Sequence, residues 1–365
     1  MLAFLTFLIV VLALSYSYVS SCSPPPPLYH LINAFRGLMF PDVHSGRPTP
    51  CPEMTADIRY PDVERPPNTA NLHGEIERLN DGTQVVHWYA HVLDVKYHFV
   101  TAGDPANPAV LMLHGLPETW WAFHHQIAEL SRDHYVIAPD TKGNGQSDKR
   151  LELDYYAATQ AKEMAVLLEQ LGIGEFYLIG HDRGAVIADH MTNVDALKGR
   201  IQRYVRMQQS FNEPHGEPAP PHDMFATRLG VGTFRSKAIM DIIYNKVMAS
   251  GLSPSTLKRL DYEFKFEGVA EAISRYFQQN NFSIELNDRR ETLFATMTMP
   301  ILLLQGKWDI GQHMEEYEES HRFAANVEVR FVEANHFSHI ENPLAVNTAI
   351  RDFFATASRD EKSRA

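Results

Sequence analysis

Cysteine is nearly absent from this sequence. Its 365 residues include only two cysteines, Cys22 and Cys51, and both lie in the N-terminal part of the chain. The remainder therefore cannot supply a cysteine nucleophile, a cysteine-rich zinc site or an iron–sulfur cluster. Two states of the cysteines stay open: unpaired thiols, or a Cys22–Cys51 disulfide formed in an oxidising compartment.

Basic charge is the second deficit. Lysine and arginine together number 33 against 45 aspartates and glutamates, which gives a formal net charge of −12. This balance disfavours nucleic acid as a partner and provides no positive surface for anionic membranes. The composition, 44% hydrophobic and 21% charged, is that of a globular protein with one large core and an insertion.

The N-terminus is strongly apolar. Leu2 to Leu14 (LAFLTFLIVVLAL) is short for a bilayer span and is followed by small residues, which is typical of a signal peptide. We expect residues 1–21 to direct the protein into the secretory pathway, as a secreted or endoplasmic reticulum lumen protein. Because no Lys or Arg precedes the run, an uncleaved anchor that tethers the protein to a membrane is the main alternative, and a buried strand is the other. The sequon at Asn281 would be glycosylated there if exposed.

The rest of the chain divides by composition. Residues 22–74 contain SPPPPLYH and further prolines, which predicts an extension outside the core. From residue 75, strand and helix patterns alternate, which predicts an α/β fold with a mostly parallel central sheet flanked by helices. The core covers 75–210 and 291–358, and 359–365 form a polar tail. The predicted strands are 85–92, 95–103, 109–115, 134–140, 175–180, 201–210, 301–306 and 327–335, and the predicted helices are 121–131, 154–172, one from 183, and 341–358.

Residues 211–290 interrupt this alternation. The segment opens with several prolines, which exclude a central strand, and continues with mixed helical patterns. It follows the sixth predicted core strand, on the side of the sheet where the strands end. We therefore predict a helical lid over the functional site.

A glycine-flanked turn follows the strand at 175–180. Its sequence, Gly180-His181-Asp182-Arg183-Gly184, fits the strand–turn–helix elbow that pushes a nucleophile into an active site. Asp182 takes the place at which an esterase would have serine. The alternative is that Asp182 only caps the helix that follows.

Two loops could support chemistry at Asp182. The loop after strand 109–115 contains Leu116, whose backbone N–H could form an oxyanion hole together with the backbone N–H of Arg183. His114 in the same loop is interpreted as a structural histidine. Asp309 follows strand 301–306 and could orient an imidazole, although an aspartate there could also simply form a turn.

Residues after two other strands complete the set. His336 directly follows the last predicted strand and is the candidate base, with His339 as the second choice. Glu213, after strand 201–210, is an alternative to Asp309. The chain order Asp182, Asp309, His336 is the order of nucleophile, acid and base in hydrolases that use such an elbow.

Several motifs together resemble a known family. HGLPETWW, PDTKGNGQSD, GHDRGA, Asp309 and NHFSHIENP, spread over residues 75–358, resemble the α/β-hydrolase superfamily. Within it they resemble the branch of epoxide hydrolases, haloalkane dehalogenases and haloacetate dehalogenases. The resemblance implies that Asp182 is the nucleophile, with Asp309 and His336 as acid and base. It also implies a helical lid. We further expect Trp120, Arg183 and Tyr244 to contact the substrate.

The chemistry of aspartate explains this choice of nucleophile. A carboxylate is already anionic at neutral pH, but it is a modest nucleophile. It suits a saturated carbon that carries a strained or good leaving group, such as an epoxide or a carbon–halogen bond. Attack gives an alkyl ester, which a water activated by His336 then hydrolyses. This chemistry needs a small-molecule substrate and water, but no metal, organic cofactor or stable protein partner.

The leaving group needs a proton if it is an epoxide oxygen. Related epoxide hydrolases use two lid tyrosines, and Tyr276 matches the later one. No tyrosine lies between Tyr204 and Tyr244, so His215, His222 or Tyr244 remains open for the earlier position.

Arg183 points to a different substrate. Haloacetate dehalogenases have two arginines that grip a carboxylate, and this chain has Arg183 but Val186 at the second position. We interpret the chain as an epoxide hydrolase-like enzyme, with a haloacetate dehalogenase-like enzyme as the alternative. An ester hydrolase is disfavoured because Asp182 would form an anhydride. A non-catalytic binding protein is a further alternative, since Asn335 and Lys142 also depart from the family pattern.

Overall fold

The protein is built on one nine-stranded sheet. The computed structural model describes residues 68–211, 225–236, 243–244, 252–280, 289, 293–294, 297–309 and 312–364. The strands are β1 (Glu75–Arg78), β2 (Gln84–Val92), β3 (Val95–Ala102), β4 (Ala109–Leu113), β5 (Tyr135–Pro139), β6 (Phe176–His181), β7 (Ile201–Met207), β8 (Ile301–Gly306) and β9 (Val327–Val332).

The sheet is mostly parallel, as predicted. Its order is β1-β2-β3-β5-β4-β6-β7-β8-β9. β1, β2 and β3 pair antiparallel with one another in sequence, and β3 pairs antiparallel with β5. The remaining neighbours, β5-β4-β6-β7-β8-β9, all pair in parallel. The carboxyl ends of β4, β6, β7, β8 and β9 therefore meet at one edge, where ligands bind in open α/β sheets.

Helices cover both faces of the sheet. They are α1 (His124–Leu130), α2 (Ala157–Gln170), α3 (Arg183–Met191), α4 (Arg228–Arg235), α5 (Pro254–Phe264), α6 (Val269–Gln279), α7 (Ser338–Glu341) and α8 (Pro343–Arg364). Short 3₁₀ turns lie at Trp120–Phe123, Asp195–Leu197, Met314–Tyr317 and Ser320–Arg322. The last helix continues past residue 358, where the sequence predicted its end, because DEKSR contains good helix formers.

Strand β4 shows why the sheet is buried on both faces. Val110 and Met112 belong to one apolar cluster, which also holds Trp120. Leu111 and Leu113 point the other way, into a second cluster with residues of α2 and α3. Successive side chains of a strand alternate between faces, so a strand between two helical layers is apolar throughout. The continuous run AVLML is the sequence signature of this position.

The insertion between β7 and β8 contains helices α4, α5 and α6. The sequence placed this insertion after the sixth core strand, but it follows the seventh strand of the sheet because β1 (Glu75–Arg78) was not predicted. Strand β1 is short and half exposed, with the pattern EIER, so it gives almost no sequence signal. Arg259 on α5 forms an ion pair with Glu77 on β1, at 2.9 Å, and so links the insertion to the sheet.

Several predicted features lie outside the described residues. They are the N-terminal segments with Cys22 and Cys51, the sequon at Asn281, the alternative acid Glu213, and the alternative proton donors His215 and His222. Among the helices that the structure does describe, none is long and apolar enough to cross a membrane.

Candidate active site

Asp182 stands at a strained turn between β6 and α3. Its backbone has φ +47° and ψ −117°, a conformation that non-glycine residues rarely adopt. The flanking glycines make the turn possible. A Cβ on Gly184 would lie 2.1 Å from the Leu113 carbonyl oxygen, and one on Gly180 would lie 2.7 Å from the Ala185 Cα. The close packing of α3 against β4 and β6 therefore projects the Asp182 side chain beyond the carboxyl edge of the sheet.

The Asp182 carboxylate does not cap α3. No hydrogen bond joins its side chain to the first N–H groups of that helix. Oδ1 instead accepts a hydrogen bond from the backbone N–H of Leu116, at 3.0 Å. The alternative of a helix-capping aspartate thus has no support in the structure. Leu116, one of the two residues predicted to form an oxyanion hole, thus bonds to Asp182 itself, and Arg183, the other, is the first residue of α3.

His336 and Asp309 lie beside Asp182, as their sequence order predicted. His336 Nδ1 is 2.9 Å from Asp309 Oδ2, and its Nε2 is 3.8 Å from Asp182 Oδ2. The Asp309 side chain is fully buried, whereas that of Asp182 is 16% exposed. Of the two carboxylates beside His336, only that of Asp182 is therefore partly accessible to solvent.

The electrostatics of the site favour a charged His336. Burial opposes the charged form, but the carboxylates of Asp309 and Asp182 outweigh it and raise the pKa of His336 to about 9. A second buried group fixes Asp309, because the Gln305 side-chain amide donates to the same Oδ2 at 3.2 Å. The imidazole therefore lies between two carboxylates, one held rigidly and one at the elbow.

Asn335, where the resemblance would have glycine, fits by bonding to its neighbours. Its side-chain amide donates to Glu341 Oε2 at 2.8 Å, and its carbonyl oxygen accepts from the Gln208 amide at 2.6 Å. Lys142, the other departure, donates to Glu163 and to the Asp154 carbonyl oxygen, each at 2.6 Å. Both residues are buried and hydrogen-bonded, so neither disturbs the arrangement of Asp182, Asp309 and His336.

The sequence did not predict the role of Glu118 beneath the site. One carboxylate oxygen of Glu118 accepts from the Gly115 N–H at 2.9 Å and contacts His181 Nδ1 at 2.7 Å. The other contacts His339 Nε2 at 2.9 Å. His181 also contacts the His336 carbonyl oxygen at 3.0 Å. Glu118 thus joins the loops after β4, β6 and β9, and the glutamate in HGLPE was the signal that could have shown it.

The contacts of Glu118 also show why His336, and not His339, faces Asp309. His339, the second choice from the sequence, contacts Glu118 and is fully buried, and burial lowers its pKa to about 4. His114 is structural as predicted, since Nε2 receives the Thr141 N–H at 2.9 Å. Glu118, His181 and His339 are the residues of the described chain whose types and spacing could hold a metal, with ligand atoms within 4.8 Å of one another. Their mutual hydrogen bonds already account for this spacing.

We predict that Glu118→Gln destabilises the protein. Burial raises the pKa of Glu118, but His181 and His339 hold it well below the usual value, so the group is a buried carboxylate with hydrogen-bonded partners. An amide would turn one of its acceptors into a donor that faces an imidazole. We expect a loss of about 3 kcal/mol in the free energy of unfolding, measured in urea. The control is Glu333→Gln, at an exposed glutamate that pairs with Lys307, and its expected loss is less than about 1 kcal/mol. Equal losses for the two variants would contradict this role of Glu118.

The remaining predicted site residues occupy different places. Tyr276 on α6 is buried, and its phenol oxygen accepts from Arg183 Nε at 2.6 Å. Tyr244 donates to the Pro117 carbonyl oxygen at 2.7 Å, and its ring packs at a tilt against Phe337, 4.4 Å between ring centres. Trp120 is fully buried with its ring against His87, 5.4 Å between ring centres. Thus Tyr276 joins α6 to the start of α3, Tyr244 contacts the loop after β4, and Trp120 packs into the core.

Val186 decides against a two-arginine clamp in this chain. It is fully buried in the apolar cluster between α3 and the sheet, one turn along the helix from Arg183. The Arg183 side chain lies against Tyr276, with its guanidinium carbon 4.9 Å from the ring centre. Arg183 therefore has a partner in the protein itself.

Comparison with known proteins identifies the family. A model of the alpha/beta hydrolase fold matches residues 108–343. The chain belongs to the α/β hydrolase family. Mouse "Epoxide hydrolase 4" is 35% identical over 113 residues, which are 30% of this chain and 32% of that protein. "Epoxide hydrolase 3" of Xenopus tropicalis is 28% identical over 313 residues, 78% of this chain and 79% of that protein.

Solved structures share the fold of this α/β hydrolase. "Haloalkane dehalogenase DbeA from Bradyrhizobium elkani USDA94" aligns with a TM-score of 0.64 at 19% identity, over 76% of this chain and 99% of that one. "Epoxide hydrolase CorEH" aligns with a TM-score of 0.63 at 22% identity, over 74% and 99%. The predicted likeness to epoxide hydrolases is confirmed by the curated relatives, and the haloalkane dehalogenase shares the fold. The alignment with the mouse relative spans about a third of that protein, so the likeness there is confined to part of the fold.

Proposed function

We propose that this α/β hydrolase adds water to an epoxide through a covalent ester on Asp182. The observation that supports this most is the Asp182 carboxylate itself, which stands at a strained elbow, caps no helix and faces His336. The names of the relatives favour the same substrate class. A carboxylate in this place suits attack on a saturated carbon, and an epoxide is such a carbon with a strained leaving group.

The two oxygens of Asp182 have different surroundings. Oδ1 receives the Leu116 N–H, and Oδ2 lies nearest His336. We assign the attack to Oδ2, because the hydrogen bond reduces the electron density available on Oδ1. The epoxide carbon–oxygen bond then breaks, and its oxygen takes the phenolic proton of Tyr276. In the resulting ester Oδ1 is the carbonyl oxygen, already placed at an oxyanion donor for the next step.

The second step begins with a change in charge. In the free enzyme the Asp182 carboxylate helps to raise the pKa of His336 to about 9. Once Asp182 is an ester, this contribution disappears and the pKa falls, so the imidazole releases its proton more readily. The neutral His336 then accepts a proton from a water that attacks the ester carbon. Asp309 holds the tautomer with a free Nε2 and stabilises the imidazolium that forms.

A carbon–halogen bond is the second candidate. The observation that favours it is Arg183, whose cationic side chain follows the nucleophile directly and could attract an acidic substrate. Halide release from haloacids, set against diol formation from epoxides, separates the two reactions.

Trapping the intermediate tests the proposal. We expect His336→Ala to accumulate an ester on Asp182, seen by mass spectrometry as the mass of intact enzyme plus one epoxide and located by peptide mapping. Epoxides and haloacids are offered in parallel, so the mass identifies the substrate class. His91→Ala is the control and should accumulate no ester, since His91 is an exposed residue of β2. An adduct on another residue, or none from any substrate in the panel, would contradict the proposed function.

A further inference from the structure

The side chain of Arg183 is placed on the phenol of Tyr276. Its Nε–H donates to the Tyr276 oxygen at 2.6 Å, and its guanidinium carbon is 4.9 Å from the centre of the ring. Each of these two residues is only 5% exposed to solvent, so water screens this contact weakly. A charge-assisted hydrogen bond at this length strongly favours the anionic form of the oxygen that accepts it.

Tyr244 has the opposite surroundings. Its hydroxyl donates to the Pro117 carbonyl oxygen at 2.7 Å, so its proton is directed at the backbone. Burial raises its pKa well above the usual value, and the charges of Glu118 and Asp182 raise it further. An anionic Tyr244 would therefore be strongly disfavoured. Of the two tyrosines, only Tyr276 has a cation on its oxygen.

We propose that Arg183 is a positioning residue that makes Tyr276 the proton donor in epoxide opening. The inference rests on the proposed function and extends it. Asp182 Oδ2 forms a bond to the epoxide carbon, the carbon–oxygen bond breaks, and its electron pair takes the proton from the Tyr276 oxygen. The phenolate that remains is paired with the Arg183 guanidinium. When water later cleaves the ester, the proton that it gives to His336 returns to the phenolate through solvent.

Arginine suits this positioning role because it does not compete with Tyr276 as a proton donor. A guanidinium stays protonated at any pH at which the enzyme works, so Arg183 does not itself give a proton to the substrate. Its Nε–H occupies one side of the Tyr276 oxygen and so holds the phenol in one orientation. The charge lies next in sequence to the nucleophile, so one residue ties the proton donor in the insertion to the elbow in the core. A lysine would keep the charge but not the planar donor.

The ionisation of residue 276 tests this without any substrate. We would incorporate 3,5-difluorotyrosine in place of Tyr276 in the full chain and follow its ¹⁹F resonance against pH. We expect Arg183→Met to raise the pKa of that phenol by about one to three units, and Arg183→Lys to raise it less. Arg203→Met is the matched control: Arg203 is also a buried arginine, but it lies over Phe353 on the last helix and should leave the resonance unchanged.

The rate of ester formation tests the role in the reaction. In the His336→Ala background, rapid quench measures formation of the Asp182 ester at each pH. We expect Arg183→Met to slow it by about 10²-fold and to move its alkaline limb to higher pH. Combined with Tyr276→Phe, the same substitution should cause no further loss, because the two residues act together. A purely structural role of Arg183 would lower the rate without moving the limb.

The outcomes distinguish failure of the role of Arg183 from failure of the proposed epoxide hydrolysis. An unchanged ¹⁹F titration in Arg183→Met overturns the inference, whatever the enzyme turns over. Additive losses in the double variant overturn it as well. If the enzyme with Arg183 and Tyr276 intact forms no ester with any epoxide, the proposed function fails, and the role in ring opening fails with it. A shifted titration together with a shifted limb supports both.

Discussion

Replacing Asp182 with asparagine is expected to abolish turnover, with a fall in kcat of about 10⁴-fold or more. The amide is a poor nucleophile, and its NH₂ group can face the Leu116 N–H that now binds Oδ1. Turnover is measured with the epoxide that gives the largest mass adduct in the trapping experiment. Because Asp182 caps no helix, the variant should keep its free energy of unfolding within about 1 kcal/mol.

Two controls make the Asp182 result decisive. Asp195→Asn removes an exposed aspartate whose partner is Lys198, and it should keep full activity. The mass of the Asp182 peptide must show an intact amide, since deamidation would restore the aspartate. If a verified Asp182→Asn enzyme still turned over, the covalent mechanism would be wrong. If instead no variant and no substrate gave turnover, the alternative of a non-catalytic binding protein would gain support.

The substitution Asp309→Asn should have the second largest effect. Asp309 Oδ2 accepts from His336 Nδ1 and so leaves Nε2 free to take a proton from water. An asparagine amide can donate to Nδ1 and select the wrong tautomer, which we expect to slow ester hydrolysis by about 10³- to 10⁴-fold. Ester formation needs no base and should change far less, so the alkyl-enzyme should accumulate during turnover.

The pH dependence of His336 provides a second measurement on Asp309→Asn. With the Asp309 carboxylate gone, the pKa of His336 should fall below its value of about 9, because burial opposes the charge and one of the two anions is lost. A titration of the His336 ring by NMR would show the shift. Glu213→Gln is the matched control, since Glu213 is the alternative acid in the sequence. Accumulation of ester in Glu213→Gln but not in Asp309→Asn would reverse the assignment.

The sheet was predictable because its strands are strongly patterned. AVLML, FYLIGH and ILLLQG are apolar on both faces, and each ends in or next to a glycine or a polar residue at the same edge of the sheet. Strand β1, with EIER, was missed because a short, half-exposed edge strand has no such pattern. The extra strand changed the position of the insertion from after the sixth strand to after the seventh.

The site was predictable where residues follow strands and unpredictable where side chains meet across the fold. Asp182, Asp309 and His336 each follow a parallel strand, so their strands bring them to one edge. Glu118 lies in a loop motif, but its contacts with His181 and His339 depend on how three loops pack. Arg183 illustrates the same limit: its sequence context pointed to a substrate carboxylate, whereas its hydrogen bond with Tyr276 joins residues 93 positions apart.

Sequence alone determined the fold class, the glycine-flanked turn at Asp182 and the chain order of Asp182, Asp309 and His336 along the strands that carry them. These follow from local rules, in which apolar periodicity sets the strands and two glycines permit one strained turn. Only the tertiary structure decided that Asp182 caps nothing, that His336 and not His339 faces Asp309, and that Arg183 turns toward Tyr276. The physical reason is that a side chain's partner is chosen by packing among elements distant in the chain, and that choice leaves no periodic trace in the sequence.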